Sequence, residues 1–599
     1  MPLSVPAPAL PLISPPPGYP CSMNSPYPPH ALHDYALLAD GERGALIGPD
    51  GAIGWLCAPA WHDEAVFAAL VGGRGAYAIT PRGRYVFGGY YEEGTLIWRS
   101  RWVTDEGIVE CREALAFPGD PDRLVLLRQL RAVDGPAHLT VVLDPHGDYG
   151  AAELDSVRRG DDGVWELRTG GHRLRWQGAP GAAPGEHGLT LDIELKPGER
   201  HDLVLECATS PLPAELPEPQ RTWAATEAAW REAVPALDGT VAPRDARRAY
   251  AVLRGLTTRG GGMVAAATTS LPERAEEGRN YDYRYVWIRD QSYAGQAAAA
   301  AGDHVLLDAA VDFVTARLHA DGSRLVPAYT VHGDPVPAQR DLDLPGYPGG
   351  FDRVGNQVGD QFQLDCFGEA LLLLAAAERH GRLDEGHWKA AETAVRAIAD
   401  RWRQPDAGIW ELDDRHWTHS RLICVAGLRA VAEAVPRHPL AETCTALADS
   451  LLDAAERTCL HPDGHWQRTP DDPSVDAALL LPGVRGALPA ADPRTRATLA
   501  ACRRDLADDH FLYRFRHDDR PLEEAEGAFV LCGFVMALAE HQQGRTVEAY
   551  RWFERNRGAC GASGLYAEEF DIAQRQLRGN LPQAFVHALL LEAAARLGE

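Results

Sequence analysis

The periodicity of the chain changes once, near Pro217, and that change restricts the possible folds more than any single motif does. From about His33 to residue 210, short runs with apolar residues at alternate positions recur, as in Leu139–Leu143, Leu189–Ile193 and Leu203–Leu205, separated by Gly, Pro and Asp. Period 2 with turn residues between the runs is the pattern of half-buried antiparallel strands. Two apolar runs, Leu46–Ile47 and Ala52–Cys57, flank Pro49-Asp50-Gly51, a hairpin signal. An antiparallel β-sandwich is the expected outcome. After Pro243 nearly every long segment has helical period, with candidate helices over 244–258, 290–301, 303–318, 361–380, 386–403, 419–434, 440–458, 493–507, 526–541, 545–557 and 581–597. Short and long connections alternate between them. About a dozen amphipathic helices in that rhythm, without an internal sequence repeat, predict helical hairpins closed into a ring, an α/α toroid, rather than a solenoid. Residues 219–234, with Trp223, Trp230 and Val234 seven and four apart, read as a connecting helix. The expected division is a proline-rich disordered tail (1–30), an N-terminal β-sandwich (31–215), a linker helix (216–242) and a helical domain (243–599).

Charge narrows the partners. With 59 Lys and Arg against 85 Asp and Glu, the formal charge of -26 repels nucleic acid and anionic membrane surfaces, so a neutral ligand fits better than a polyanion. No run of about 18 apolar residues is present, which predicts no membrane span. The eleven cysteines are scattered, without CxxC or metal-ligand spacing. They read as reduced thiols of a cytoplasmic protein, and no metal site is expected. The first 30 residues lack the basic start and apolar stretch of a signal peptide.

Three loop segments carry chemistry. In Asn280–Asp290 aromatic and aliphatic residues are interleaved with Asp282, Arg284, Arg289 and Asp290. Aromatic faces stack on the C–H faces of sugar rings, while Arg and Asp supply donors and acceptors for hydroxyls. A half-buried turn with a satisfied ion pair accounts for the same residues equally well. In Gly408-Ile409-Trp410-Glu411 a carboxylate beside tryptophan is expected in apolar surroundings that raise its pKa, as a general acid requires. In Gly564–Asp571 the pair Glu568-Glu569 stands among glycines and aromatics. Two separate loops, each offering a carboxylate beside aromatics, suggest glycoside hydrolysis, in which one acid protonates the leaving oxygen and another carboxylate serves water or attacks directly.

Several of these segments resemble glycoside hydrolase family 15. The resemblance rests on Asp50–Cys57, Tyr285–Asp290, Gly408–Glu411 with Thr418–Ser420, Glu526–Phe529, and Ala567–Asp571 with Gly579–Phe585, in that order over roughly residues 33–597. It implies an N-terminal β-sandwich followed by a catalytic (α/α)6 barrel. It further implies inverting, exo-acting release of β-glucose from a non-reducing end. Carried over motif by motif, Glu411 is the general acid and Glu568 the general base. Arg289 and Asp290 hold hydroxyls of the non-reducing glucose, and Tyr285 and Trp287 shape that pocket. Trp410, Trp417, His419 and Glu569 are further expected substrate contacts. Glu526 is expected either in the pocket or as an acidic residue at a helix start. No cofactor is implied, because acetal hydrolysis needs only two carboxyls and water.

Where fungal members of the family usually carry a second acid after the general acid, this chain has Leu412. A small α-glucoside is therefore expected ahead of starch, with trehalose first and malto- or isomalto-oligosaccharides next. A disaccharide phosphorylase and a non-catalytic sugar-binding protein are the alternatives. The first would replace Glu568 by a phosphate-binding cluster, and the second would tolerate loss of either carboxylate.

Overall fold

The computed structural model describes residues 26–273, 280–517, 520–522 and 526–599. Most of the expected proline-rich tail, residues 1–25, lies outside the described residues.

Residues 36–208 form two antiparallel eight-stranded sheets packed face to face. The alternation that predicted them is visible in the burial. Along Ala137–Asp144, Leu139, Val141 and Leu143 point into the core while every second residue is half-exposed. This strand pairs antiparallel with Leu189–Leu195, whose inward set is Leu189, Leu191, Ile193 and Leu195. Each such side chain contributes about 1.5–3 kcal/mol by leaving water. The hairpin around Pro49-Asp50-Gly51 joins Gly44–Ile47 to Ala52–Cys57. Gly51 has φ +76°, and a Cβ there would lie 2.1 Å from the Ile79 carbonyl oxygen, so only glycine fits this turn.

Thirteen helices follow among the described residues. Helix α1 (Pro219–Ala233) is the connecting helix, capped by Glu218, whose carboxylate accepts from Gln220 and Arg221 N–H. The others are α2 (Pro243–Leu256), α3 (Ile288–Ala300), α4 (Val305–Asp321), α5 (Asp365–Arg379), α6 (Glu385–Arg401) and α7 (Thr418–Ala434). They continue with α8 (Pro439–Cys459), α9 (Leu480–Val484), α10 (Pro493–Leu506), α11 (Val530–Gln542), α12 (Thr546–Arg557) and α13 (Ala584–Arg596). The odd-numbered helices from α3 to α13 pack in succession, α3 on α5, α5 on α7, α7 on α9, α9 on α11, α11 on α13 and α13 back on α3. The even-numbered helices from α2 to α12 lie outside this closed ring of six. The two sets differ in composition as their positions require. Inner helix α3 is buried on every side, whereas outer helix α6 buries one stripe, Ala390, Ala391, Ala394, Val395, Ala397 and Ile398.

Glycines let the inner helices approach. A Cβ on Gly427 of α7 would stand 2.4 Å from the Gly368 carbonyl oxygen of α5, and one on Gly295 of α3 would meet Leu373 of α5 at 2.3 Å. The two layers of the molecule are tied by the loop between α2 and α3. Trp55 of the sandwich donates its indole N–H to Ala267 O at 2.8 Å. Arg284 donates to Asp63 O at 2.8 Å and to Tyr149 Oη at 3.1 Å.

Two expected helices begin later than their periodicity suggested. The predicted segment 526–541 becomes a strand at Ala528–Phe529, paired with Glu569–Asp571, before α11 starts at Val530. Glu526 therefore does not stabilise a helix start; its carboxylate binds Arg514 at 2.6 Å and His517 at 3.0 Å. The predicted segment 361–380 starts as a helix only at Asp365. Helix α9 has five residues including Pro482 and Gly483, too few for a periodicity to register.

Candidate active site

Each inner helix is preceded by a loop, and five of these loops converge on a pocket of about 260 Å³ at the N-terminal ends of the ring. It is lined by Tyr281, Tyr283 and Trp287 before α3, with Arg289 and Asp290 in the first turn of that helix. Asn356, Gln357 and Gln361 precede α5, Ile409–Leu412 precede α7, Arg514, Phe515 and Phe529 precede α11, and Glu568 and Gln583 precede α13. Helix N-termini present unpaired N–H groups and positive dipole ends, surroundings that favour carboxylates and negative charge developing on a bound molecule.

Glu411 sits at the tip of a tight loop fixed from below by Asp406. Asp406 Oδ2 accepts from Ser420 Oγ at 2.7 Å and from the Leu364 and Gly408 N–H groups at 3.2 Å each, linking the loop to the starts of α5 and α7. Burial pushes Asp406 up to about 7, with Asp365 adding to the rise and Ser420 opposing it. Gly408 has φ +67°, and a Cβ there would meet the Trp417 ring at 2.7 Å. Glu411 itself has φ +55°, a left-handed conformation that costs a non-glycine residue about 1–2 kcal/mol. Its Oε1 accepts from Trp287 Nε1 at 2.6 Å, and the Arg289 guanidinium lies 3.9 Å away. The expected apolar enclosure of Glu411 is thus corrected: its side chain is 24% exposed and is held by polar partners, because the loop turns it toward Trp287 and away from Trp410. Trp410 instead donates its indole N–H to Asp476 Oδ1 at 2.7 Å and packs edge-on against Phe529.

Glu568 faces the same pocket and is 5% exposed. Tyr283 Oη donates to its Oε1 at 3.4 Å. Burial pushes its carboxyl well above the usual range; Glu273 and Glu569 add to this and Arg514 opposes it. Trp287 and Tyr283 meet edge-to-face with ring centroids 5.4 Å apart. Glu411 and Glu568 are therefore bonded to different members of one aromatic pair, which holds them apart across the pocket.

Arg289 and Asp290 line the pocket beneath these carboxyls. Arg289 Nη1 donates to Ile409 O at 2.9 Å, and its Nε lies 3.3 Å from Asp290 Oδ2. Burial raises Asp290 to about 6, against the opposing Arg289 and with a contribution from Glu411.

Residues 280–290 divide into two parts. Asp282 and Arg284 form the satisfied pair, bonded at 2.9 and 2.7 Å, buried and directed toward the sandwich; Arg289 and Asp290 face the pocket. Four expected contacts lie outside the lining. Tyr285 packs with Ala265, Ala328 and Val358 in a small apolar cluster and approaches His62. Trp417 backs the Glu411 loop beneath the Arg468 guanidinium. His419 is buried behind the same loop, and burial lowers it to about 3, so it is neutral. Glu569 is fully buried, accepting from Gly527 N–H at 2.8 Å and from Arg514 at 3.3 Å, because its strand pairing turns it away from the side that Glu568 faces. Tyr283, Glu273, Arg514 and the amides Gln339, Asn356 and Gln357 line the pocket without having been singled out from sequence. Tyr283 alone carried a signal, its place two and four residues from Tyr281 and Trp287.

Among the described residues, His461, Asp463 and His465, in the turn after α8, bring three ligating atoms within 4.8 Å of one another. None of them lines the pocket.

The chain matches the family model for glycosyl hydrolases family 15 over residues 250–595 and a trehalase-like N-terminal model over residues 28–171. It is 30% identical to a trehalase of Mycolicibacterium smegmatis, covering 96% of this chain and 92% of that one. It is 30% identical to a trehalase of Mycobacterium tuberculosis over 96% and 90%, and 27% identical to trehalase 1 of Sulfolobus acidocaldarius over 93% and 97%. The solved structure of a bacterial glucoamylase complexed with acarbose shares its fold, with a TM-score of 0.71 over 96% of both chains at 13% identity.

Proposed function

Since the chain belongs to glycoside hydrolase family 15, we propose that it hydrolyses trehalose with inversion, using Glu411 as general acid and Glu568 as general base. The observation that carries this reading is the pair of carboxyls facing one pocket, each anchored to a different ring of the Trp287–Tyr283 pair. An inverting reaction requires the two carboxyls to stand roughly 6.5–9.5 Å apart, with room for a water molecule beside the sugar ring. Arg289 and Asp290 hold hydroxyls of the glucose whose bond is cleaved. Glu411 gives its proton to the bridging oxygen as the anomeric C–O bond breaks. Water attacks from the opposite face, and Glu568 takes its proton, so one molecule of water is consumed and the new hydroxyl is β.

The pocket volume supports a small substrate, since about 260 Å³ falls just below the roughly 300–1,000 Å³ of small-molecule sites. Leu412 and the amides Gln339, Gln357 and Gln361 give the lining neutral groups suited to a second uncharged sugar. The trehalase relatives match this chain over both its sandwich and its helical part. In this reading residues 243–599 form the catalytic unit, 31–215 the accessory sandwich and 216–242 the tether. A cytoplasmic location accords with ten unbridged cysteines among the described residues. No helix among them is long and apolar enough to cross a membrane.

Initial rates of glucose release from trehalose, maltose and isomaltose, without added phosphate, test the reading. Trehalose is expected to have the highest kcat/KM by tenfold or more. A tenfold preference for maltose would make the protein a glucoamylase-type enzyme, and turnover only with phosphate would make it a phosphorylase.

A further inference from the structure

His461-Pro462-Asp463-Gly464-His465 puts two imidazoles and a carboxylate on one turn just after α8. Backbone bonds close the turn. His461 N–H donates to His465 O at 2.9 Å, and Gly464 N–H donates to His461 O at 2.8 Å. Gly464 has φ +87°, the left-handed conformation that glycine adopts without strain. Leu460 and Trp466 pair antiparallel on either side, which brings the two histidines face to face. Their rings lie 4.3 Å apart between centroids and 11° from parallel. One ligating atom from each of the three residues falls within 4.8 Å of the other two. Spacing alone does not give this arrangement away in the sequence, because positions i, i+2 and i+4 converge only through this turn.

The tautomer of His465 suits it to a metal ion. Its Nδ1 lies 3.0 Å from Trp466 O, and a carbonyl only accepts, so the ring proton is on Nδ1 and the Nε2 lone pair is the available donor. Orientation of one ring nitrogen by a backbone carbonyl is the usual support of a metal-binding imidazole. His465 is also buried, which makes it the fixed ligand. His461 Nδ1 accepts from Asp463 N–H at 3.1 Å and lies 3.6 Å from Asp463 Oδ2. These two side chains are 24% and 75% exposed, free to turn toward His465. Tetrahedral ligands on zinc bonds of roughly 2.0–2.1 Å stand about 3.4 Å from one another, a closure that rotation of the two outer side chains supplies. Two imidazoles and one carboxylate favour zinc over magnesium or calcium, which prefer oxygen ligands throughout.

We propose that His461, Asp463 and His465 bind one divalent cation of the zinc class, with water completing its shell, and that the ion fastens the loop between α8 and α9. The site is structural, since none of the three residues lines the catalytic pocket. What it fastens leads toward that pocket. Trp466 N–H donates to Thr498 Oγ1 of α10 at 3.0 Å. Two residues on, Arg468 O accepts from the N–H of Thr418, the first residue of α7, at 3.1 Å. Arg468 Nε donates to Asp476 Oδ2 at 3.2 Å, and Asp476 holds the indole of Trp410, the neighbour of Glu411. The proposal is independent of which glucoside is cleaved.

The test uses the full chain, stripped with EDTA and freed of chelator. Calorimetric titration with zinc chloride is expected to show one equivalent bound with a Kd in the micromolar range. Zinc at about a hundred times that Kd should raise the melting temperature by about 2–5 °C, and magnesium or calcium by less than about 1 °C. Asp463→Asn and His461→Ala, both at exposed or half-exposed positions, should melt near the metal-free wild type, bind zinc at least tenfold more weakly and lose the zinc-dependent rise. Absence of binding by the wild type overturns the proposal. Unchanged affinity in both variants does so too, leaving an adventitious ion only. Cobalt(II) gives a readout that needs no variant: the visible absorption of four-coordinate cobalt is expected, lost on adding one equivalent of zinc, and the pale spectrum of the hydrated ion instead overturns the proposal.

Discussion

Glu411 is held in a left-handed backbone conformation by a loop whose underside is fastened through Asp406, and its carboxylate is aimed by the Trp287 indole. Strain kept at one residue by well-bonded neighbours is the usual form of preorganisation. If Glu411 and Glu568 act as acid and base, Glu411→Gln and Glu568→Gln each lower kcat by roughly 10²–10⁴ while the melting temperature stays near that of the wild type. Initial rates and thermal unfolding of both variants check this; near-native rates in either would remove that residue from the mechanism. That Glu411, Glu568, Arg289 and Asp290 gather at one pocket was legible in the sequence, because each lies in a short motif that mixes charge with aromatics. What separates Arg289–Asp290 from Arg284–Asp282 was not legible, since both are Arg/Asp pairs in one stretch. The difference arises at Ile288, where the extended segment turns into α3 and directs the later pair into the ring. Glu273 and Arg514 were hidden for another reason: each depends on partners far away in the chain.

The inner helices depend on glycine at their crossings. Gly427 on α7 faces the Gly368 carbonyl of α5, and a methyl group there would sit 2.4 Å from that oxygen. The backbones must separate to admit it, so Gly427→Ala should destabilise by about 1–3 kcal/mol through overpacking. Gly239 has open space around its Cβ direction and serves as a control, with Gly239→Ala expected within about 0.5 kcal/mol of wild type. Midpoints of urea unfolding distinguish the two; equal midpoints would show that the α5–α7 contact yields without cost. Helix positions were legible because amphipathic periodicity survives in the outer helices and apolar continuity in the inner ones. Element ends were less so. Val530 rather than Glu526 begins α11 because Ala528–Phe529 pairs with Glu569–Asp571, a contact between segments forty residues apart that local pattern does not carry.

At the scale of the whole molecule, the ring encloses carboxyls in its interior. Burial raises Asp290 and Asp365 to about 6 and Glu369 and Asp406 to about 7. These folded-state values exceed those of the unfolded chain, so the native state binds more protons between about pH 4 and 7. The stability they contribute is fully present below about pH 4 and is lost as pH rises through 6 to 7. Glu526 and Glu592, lowered to about 2 by Arg514 and Arg485 against burial, act oppositely: their contribution is present above about pH 4.5 and is lost as pH falls toward 2. The melting temperature should therefore be higher near pH 5 than at pH 7.5, and thermal scans across that range check it; a rise toward pH 7.5 would show that these groups are ionised without cost. The central claim is inversion at a trehalose carbon, and proton NMR of the earliest products tests it most directly. Cleavage with inversion turns one glucose into the β anomer and releases the other as α, so equal amounts of the two are predicted before mutarotation. Glucose appearing only as the α anomer would mean retention, and would contradict the assignment of Glu568 as a base acting on water.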